Sequence, residues 1–180
     1  MSQPGELVRA SIALGSNLPG VQGSPTATLR AACNALGALP NCRVEATSSV
    51  WRTVPVGGVV QPDFFNAAVI LATSLPARSL LEHLHAIERQ FGRNRGAEAR
   101  WGPRTLDLDI ILFGAQVFEE PDFRVPHPRF ADRAFVLAPL AEIAASATDP
   151  LTGLSVESIL RSVSGHDGVV RIGPLFPSDD

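Results

Sequence analysis

The chain has 180 residues, 45% of them hydrophobic, and a formal net charge of −3, which suits one compact domain with a real core and argues against an obligate nucleic-acid binder. All 15 basic residues are Arg and Tyr is absent, so a Walker-type phosphate loop, a Schiff-base lysine and a phenolic nucleophile are excluded. Cys33 and Cys42 lack a Cys-x-x-Cys spacing and read as reduced thiols, and the chain shows neither a basic-then-apolar leader nor a membrane-length apolar run, so a cytoplasmic protein without membrane attachment is expected.

In chain order, Val8, Ala10, Ile12 and Leu14 alternate with outward-facing positions and predict a strand ending at Gly15-Ser16-Asn17. Ser24-Pro25 reads as an N-cap and first helical residue, and Leu29, Ala32, Cys33 and Leu36 recur at helical spacing up to Gly37. Residues 44–52, rich in β-branched and small side chains, predict one strand, 53–62 a Pro/Gly loop, and 65–73 a third strand. Pro76 opens a second helix with the apolar stripe Leu80, Leu84, Ile87 and Phe91, which Gly92 stops. Over 106–113 strict alternation sets Leu106, Leu108, Ile110 and Leu112 on one face and Asp107 and Asp109 on the other. Gly114-Ala115 then predicts a hairpin to Gln116-Val117-Phe118. Asp132 is placed to cap a helix through Phe135, Leu137 and Leu140 that Pro139 ends or kinks, 156–163 predicts a last short helix, and 177–180 a frayed tail. Interleaved elements with connections too short for parallel crossovers predict an α+β fold with a mainly antiparallel sheet, its core over about residues 8–163.

The chemistry concentrates in Arg100-Trp101-Gly102-Pro103-Arg104-Thr105-Leu106-Asp107-Leu108-Asp109. Strand positions two apart share a face with Cα atoms about 6.5–7 Å apart, so Asp107 and Asp109 can both reach a cation such as Mg²⁺; the alternative is a solvated strand face. Residues 89–104 hold five Arg (Arg89, Arg93, Arg95, Arg100, Arg104) against Glu98 alone. Guanidinium groups beside two metal-binding carboxylates describe a polyphosphate clamp, against the alternative of a basic solvated loop. His127, between Pro126 and Pro128, is held at a restricted backbone angle and can hydrogen-bond a phosphate or serve structure alone. Phe64 and Asn66 in the run Gln61-Pro62-Asp63-Phe64-Phe65-Asn66 can stack and read a planar heterocycle; alternation sends Phe64 and Phe65 to opposite faces, so one of them lies outside the core.

Together with Ala13-Leu14-Gly15-Ser16-Asn17-Leu18, Trp51-Arg52-Thr53 and Val125-Pro126-His127-Pro128, these motifs make the chain resemble the 6-hydroxymethyl-7,8-dihydropterin pyrophosphokinase family, in order over roughly residues 8–145. The resemblance implies one pyrophosphokinase domain over residues 1–180 with a ferredoxin-like α/β sandwich, which transfers the β,γ-pyrophosphoryl group of ATP to the pterin hydroxymethyl and leaves AMP. It implies two Mg²⁺ ions on Asp107 and Asp109. Arg93, Arg95, Trp101 and Arg104 resemble a mobile catalytic loop. Glu88, Ile110, His127 and Arg133 look like nucleotide contacts, joined by Arg95, Trp101 and Arg104. Phe64 and Phe135 would sandwich the pterin, with Asn66, Thr53 and the main chain around Val54 and Val56 reading its edge. Partners are then two small substrates, without nucleic acid or membrane, and a monomer is expected.

The chain departs from some members at Asp122 (Arg there), Arg124 (Thr there) and Pro128, and its loop from Arg95 to Trp101 is about one residue longer, which bears on closure and on the role of Arg100. Two rivals follow from the residues: a ferredoxin-like module for single-stranded RNA, which would leave Asp107 and Asp109 facing nucleic acid unmasked, and another metal-dependent phosphotransferase, told apart by its product.

Overall fold

The computed structural model describes residues 7–55, 60–94, 102–165 and 168–177. Eight strands and four helices follow in the order β1 (Val8–Ser16), α1 (Pro25–Gly37), β2 (Cys42–Thr47), β3 (Ser49–Thr53), β4 (Phe64–Thr73), α2 (Ala77–Gln90), β5 (Asp107–Phe113), β6 (Phe118–Glu120), β7 (Phe123–Val125), α3 (Ala134–Ala144), α4 (Val156–Ser162) and β8 (Val169–Pro174) among the described residues. The main sheet runs β5-β1-β4-β3-β8, with β2 also on β4. Its pairings are antiparallel, so the α+β fold has a ferredoxin-like core of β1, α1, β2/β3, β4, α2 and β5.

Both faces of this sheet are apolar, and each carries helices. Ala10, Ile12 and Leu14 of β1 pack with Leu29, Ala32 and Leu36 of α1 and Leu80, Leu84 and Ile87 of α2. On the other face Ala68, Ile70, Ile111 and Leu112 meet Val136, Leu137 and Leu140 of α3 and Val156 and Ile159 of α4. Burying so much aliphatic surface on two sides is the main stabilising term of such a sandwich. Helix α1 starts as its sequence dictates: Ser24 caps it, accepting from the Ala27 N–H at 3.3 Å, with Pro25 at the first helical position.

The strand predicted over 44–52 is two strands on one edge of β4, broken at Ser48. There the Ser48 N–H donates to the Ala68 carbonyl at 2.9 Å, while the Ala68 N–H donates to Ser48 Oγ at 2.8 Å. The hydroxyl thus replaces the carbonyl that the ladder loses at the break. Opposite Ser11 and Ile12 of β1, the register along β5 skips from Leu112 to Ile110. Leu112 therefore joins Ile111 on the α3 face and Phe113 takes its place opposite, which corrects the strict alternation expected from the sequence.

Three further expectations change. The predicted hairpin from β5 to Phe118 does not form; a turn at Gly114 leads instead to β6, which pairs with β7. The 3-10 turn Phe130–Asp132 contains Asp132, and α3 begins after Arg133 and runs through Pro139 without stopping. No strand was expected after residue 163, yet β8 pairs with β3. Its Val170 and Ile172 are exposed, and so is Arg171 between them, so the apolar alternation there marks no buried face.

Replacing Ser48 with Ala leaves the buried Ala68 N–H without its acceptor. The expected loss is about 1–3 kcal/mol in urea unfolding with an unchanged m-value; an unchanged midpoint would show that the hydroxyl does not hold the break together.

Candidate active site

Register assembles the site. Gly15 of β1 lies opposite Asp107 of β5 on one side and Asn66 of β4 on the other, and Asn66 lies opposite Trp51 of β3. A Cβ built on Gly15 would sit 3.4 Å from Asn66 Oδ1 and 3.9 Å from the Asp107 Cβ. The carboxylate and the amide therefore flank a floor with no side chain of its own. One row further along, Ala13 lies opposite Asp109, so small residues keep this end of the sheet open beneath both acids.

The end of α2 delivers the first cation. Gly92, at φ 85°, takes the left-handed conformation that lets its N–H donate to the Arg89 carbonyl at 3.1 Å and the Arg93 N–H to the Glu88 carbonyl at 3.0 Å, the paired bonds of a Schellman termination. The chain turns back, and Arg93 Nη1 donates to Asp107 Oδ1 at 2.5 Å and also to Glu88 Oε1. Glu88, 1% exposed, accepts the Leu108 N–H through the same oxygen at 2.8 Å. Arg104 Nη1 donates to the other oxygen of Asp107 at 2.7 Å, and its guanidinium carbon lies 6.0 Å from the Phe64 ring centroid. Burial pushes the Asp107 carboxyl pKa up, but the two guanidinium groups outweigh it and hold the pKa below the usual carboxylate value.

On the far side of β5, the His127 N–H donates to the Ile111 carbonyl at 3.0 Å and its Nδ1 accepts the Arg129 N–H at 3.2 Å. Burial, then the charge of Arg133, pushes its pKa down to about 4. The ring is therefore neutral at neutral pH, and with Nδ1 accepting, the proton sits on Nε2 as a donor. Burial and neighbouring Arg129 lower the Arg133 pKa, against the pull of Asp109 and Asp107, and its guanidinium carbon lies 5.7 Å from the Phe135 ring centroid.

The pterin-side candidates divide by strand parity. Phe65 packs against the α1/α2 core, whereas Phe64 stays on the Arg104 side. Asn66 is 6% exposed, and its Nδ2 donates to Thr53 Oγ1 at 2.8 Å, which leaves Oδ1 over Gly15 and the Thr53 hydroxyl proton for an incoming heterocycle. Phe135 sits in the first turn of α3 against the second core cluster, and Val54 is exposed.

The Ile110 side chain is buried in the α1/α2 core on the face opposite Asp109, which leaves its main chain for the expected nucleotide contact. Glu88 is enclosed and acts on Arg93 and the Leu108 N–H. Arg95, Arg100, Trp101 and Val56 lie outside the described residues. Residues not singled out for the site also belong to it. Glu142 of α3 accepts from the Ser49 N–H at 3.0 Å, Ser49 Oγ at 2.7 Å and Trp51 Nε1 at 3.0 Å, and so clips α3 to the strand that carries Thr53. A lone Glu on a helix carries no sequence signal of such a role.

Among the described residues no cluster of three or more His, Cys, Asp or Glu side chains forms a protein-only metal cage. Two hard carboxylates side by side on one strand fit Mg²⁺, which keeps water and substrate oxygens in its shell.

A family model described as 7,8-dihydro-6-hydroxymethylpterin-pyrophosphokinase matches residues 11–145. The 2-amino-4-hydroxy-6-hydroxymethyldihydropteridine pyrophosphokinase of Pseudomonas aeruginosa is 46% identical over 136 residues, covering 76% of this chain and 80% of its own. The protein of the same name from Haemophilus influenzae is 36% identical over 168 residues, covering 93% of this chain and all of its own. The crystal structure of Plasmodium falciparum wild-type HPPK-DHPS superposes with a TM-score of 0.68 at 12% identity, over 89% of this chain but only 45% of that one, and speaks for the fold alone. Sequence match, fold and site row agree: the chain belongs to the 7,8-dihydro-6-hydroxymethylpterin-pyrophosphokinase family.

Proposed function

We propose that this chain transfers the pyrophosphoryl group of ATP to the hydroxymethyl oxygen of 6-hydroxymethyl-7,8-dihydropterin, giving AMP and the pterin diphosphate for folate biosynthesis. The observation that carries this reading is the row itself: a carboxylate held by two Arg side chains stands one bare glycine away from an Asn–Thr pair suited to a heterocycle edge. Phosphate chemistry and heterocycle recognition meet across Gly15.

Glu88 and Asp107 balance the charges of Arg93 and Arg104, so the cluster has no surplus positive charge for an incoming triphosphate. Mg²⁺, two ions in this reading, would be held by Asp107 and Asp109 and supplies that charge on the phosphate oxygens when bound. Arg93 and Arg104 exchange carboxylate for phosphate oxygens, with Arg95 and Trp101 of the loop closing over them and excluding water. Neutral His127 donates from Nε2 to a nucleotide oxygen, and Arg133 adds a cation on the same side. Phe64 and Phe135 stack the pterin while Asn66 Oδ1, the Thr53 hydroxyl and the main chain at Val54 and Val56 read its edge. The acceptor oxygen forms a bond to the β-phosphorus as the bridge to the α-phosphate breaks and AMP leaves; positioning and charge supply the rate, without a nucleophilic side chain. The reading includes a single catalytic domain acting as a cytoplasmic monomer; among the described residues no helix is long and apolar enough to cross a membrane.

Nucleotide analysis with ATP, Mg²⁺ and the hydroxymethylpterin tests the reaction: AMP is expected only in the complete mixture, and ADP would sink the assignment. Asp107→Asn and Asp109→Asn should each lower kcat by about 10²–10³-fold while circular dichroism stays native; full turnover in either removes it from the metal site. His127 has a folded pKa of about 4 against an ordinary 6.5, so between those values the unfolded chain binds the extra proton and stability falls as pH falls. Urea midpoints of wild type should drop more steeply through that window than those of His127→Gln. Equal slopes would show that the ring is not held neutral by the fold.

A further inference from the structure

Asn17, at the end of β1, is 1% exposed. Its carboxamide is used in both directions: Nδ2 donates to Gln61 Oε1 at 3.0 Å and to the Pro62 carbonyl at 3.1 Å, while Oδ1 accepts the Arg104 N–H at 2.8 Å. The Pro62 carbonyl can only accept and the Arg104 N–H can only donate, so the orientation of the amide is set by its partners. The main chain adds two bonds, with the N–H groups of Asn17 and Leu18 both donating to the Arg104 carbonyl, at 3.1 and 3.2 Å. Three segments distant in sequence, at Asn17, 61–62 and Arg104, are thus tied by one buried side chain.

The tied segments are the two halves of the site. Pro62 stands two residues before Phe64, the proposed stacking ring, and Arg104 carries the guanidinium that holds Asp107 and lies over that ring. We propose that Asn17 is a positioning residue that makes the pterin-stacking segment and the anchored end of the phosphate loop a single body, so that the acceptor hydroxyl and the β-phosphorus keep their relative placement. The proposal rests on the pyrophosphokinase reading of the site. Its physical motive is that a misplacement of about 1 Å between reacting groups costs on the order of 10²-fold in rate. Only Asn suits the position: Asp lacks both donors, Ser reaches too short a distance, and a hydrophobe leaves the Arg104 N–H without its partner.

Three variants separate the two directions of the clamp. Asn17→Asp keeps the acceptor for Arg104 and loses both donations toward the pterin segment. It should raise the KM for the pterin about ten-fold and leave the KM for ATP within about two-fold. Asn17→Ala loses all three side-chain bonds and should raise both KM values and lower kcat about ten-fold further. Gln61→Ala removes the acceptor of the Asn17 Nδ2 bond from the half-buried position 61 and should raise the pterin KM alone, by about three-fold. Wild-type constants in Asn17→Ala, or equal losses on both substrates in Asn17→Asp, would overturn the proposal; if the Asn17 variants do not fold, a wild-type pterin KM in Gln61→Ala overturns it alone. Amide hydrogen exchange at Arg104 gives a readout independent of turnover: it should accelerate about ten-fold in Asn17→Ala and stay slow in Asn17→Asp, and unchanged exchange in Asn17→Ala also overturns the clamp. A wild-type enzyme that releases no AMP would instead sink the reaction, and the exchange pattern would still test the clamp.

Discussion

The carboxylate of Asp107, gripped from both sides by Arg93 and Arg104, is the interaction on which the site depends. Arg93 has only 8% of its side chain exposed and Glu88 1%, so these charges are taken out of water, where each is tolerable only while its partners remain. The buried Glu88 completes the cluster and, by accepting the Leu108 N–H, welds the end of α2 to the start of β5. The cluster therefore fixes the geometry of a helix end and a strand start before any substrate arrives. Within the cluster the two guanidinium charges are matched by Glu88 and Asp107.

The surrounding fold serves this cluster by what it omits. A sheet covered on both faces by aliphatic side chains would ordinarily fill the row between Asp107 and Asn66, yet Gly15 stands there, with Ala13 beside Asp109 in the next row. Their smallness exposes strand backbone to a ligand at the one end of the sheet where acids replace aliphatic residues. Behind the row, Glu142 ties α3 to Ser49 and Trp51, and the Ser48 hydroxyl completes the broken ladder. Thr53 and Asn66 are thereby supported from behind by hydrogen bonds that neither substrate needs to supply.

Of the departures from some family members, the one at Asp122 has a local explanation. Asp122 receives both Arg78 Nη atoms at 3.0 Å, Glu120 is bonded to the same guanidinium, and its carbon lies 5.4 Å from the Phe123 ring centroid. The position thus joins the β6–β7 hairpin to the start of α2 through exposed pairs of modest strength. Nothing in the structure explains Arg124 or Pro128.

The sequence by itself determined the alternation of strands and helices, the caps at Ser24 and Gly92, the antiparallel class of the sheet and the motif that names the acids and arginines. These are local signals: capping, periodicity and residue chemistry act within a few positions of the chain. Only the tertiary structure decided that the bulge opposite Ser11 sends Leu112 across the sheet, that β6 turns to β7 and that β8 closes the edge. The same holds for Asn17 and Glu142, whose partners lie 29 to 93 positions away. Register and buried hydrogen bonds are pairwise properties of distant segments, and such a partner leaves no periodic mark on the stretch of chain that awaits it.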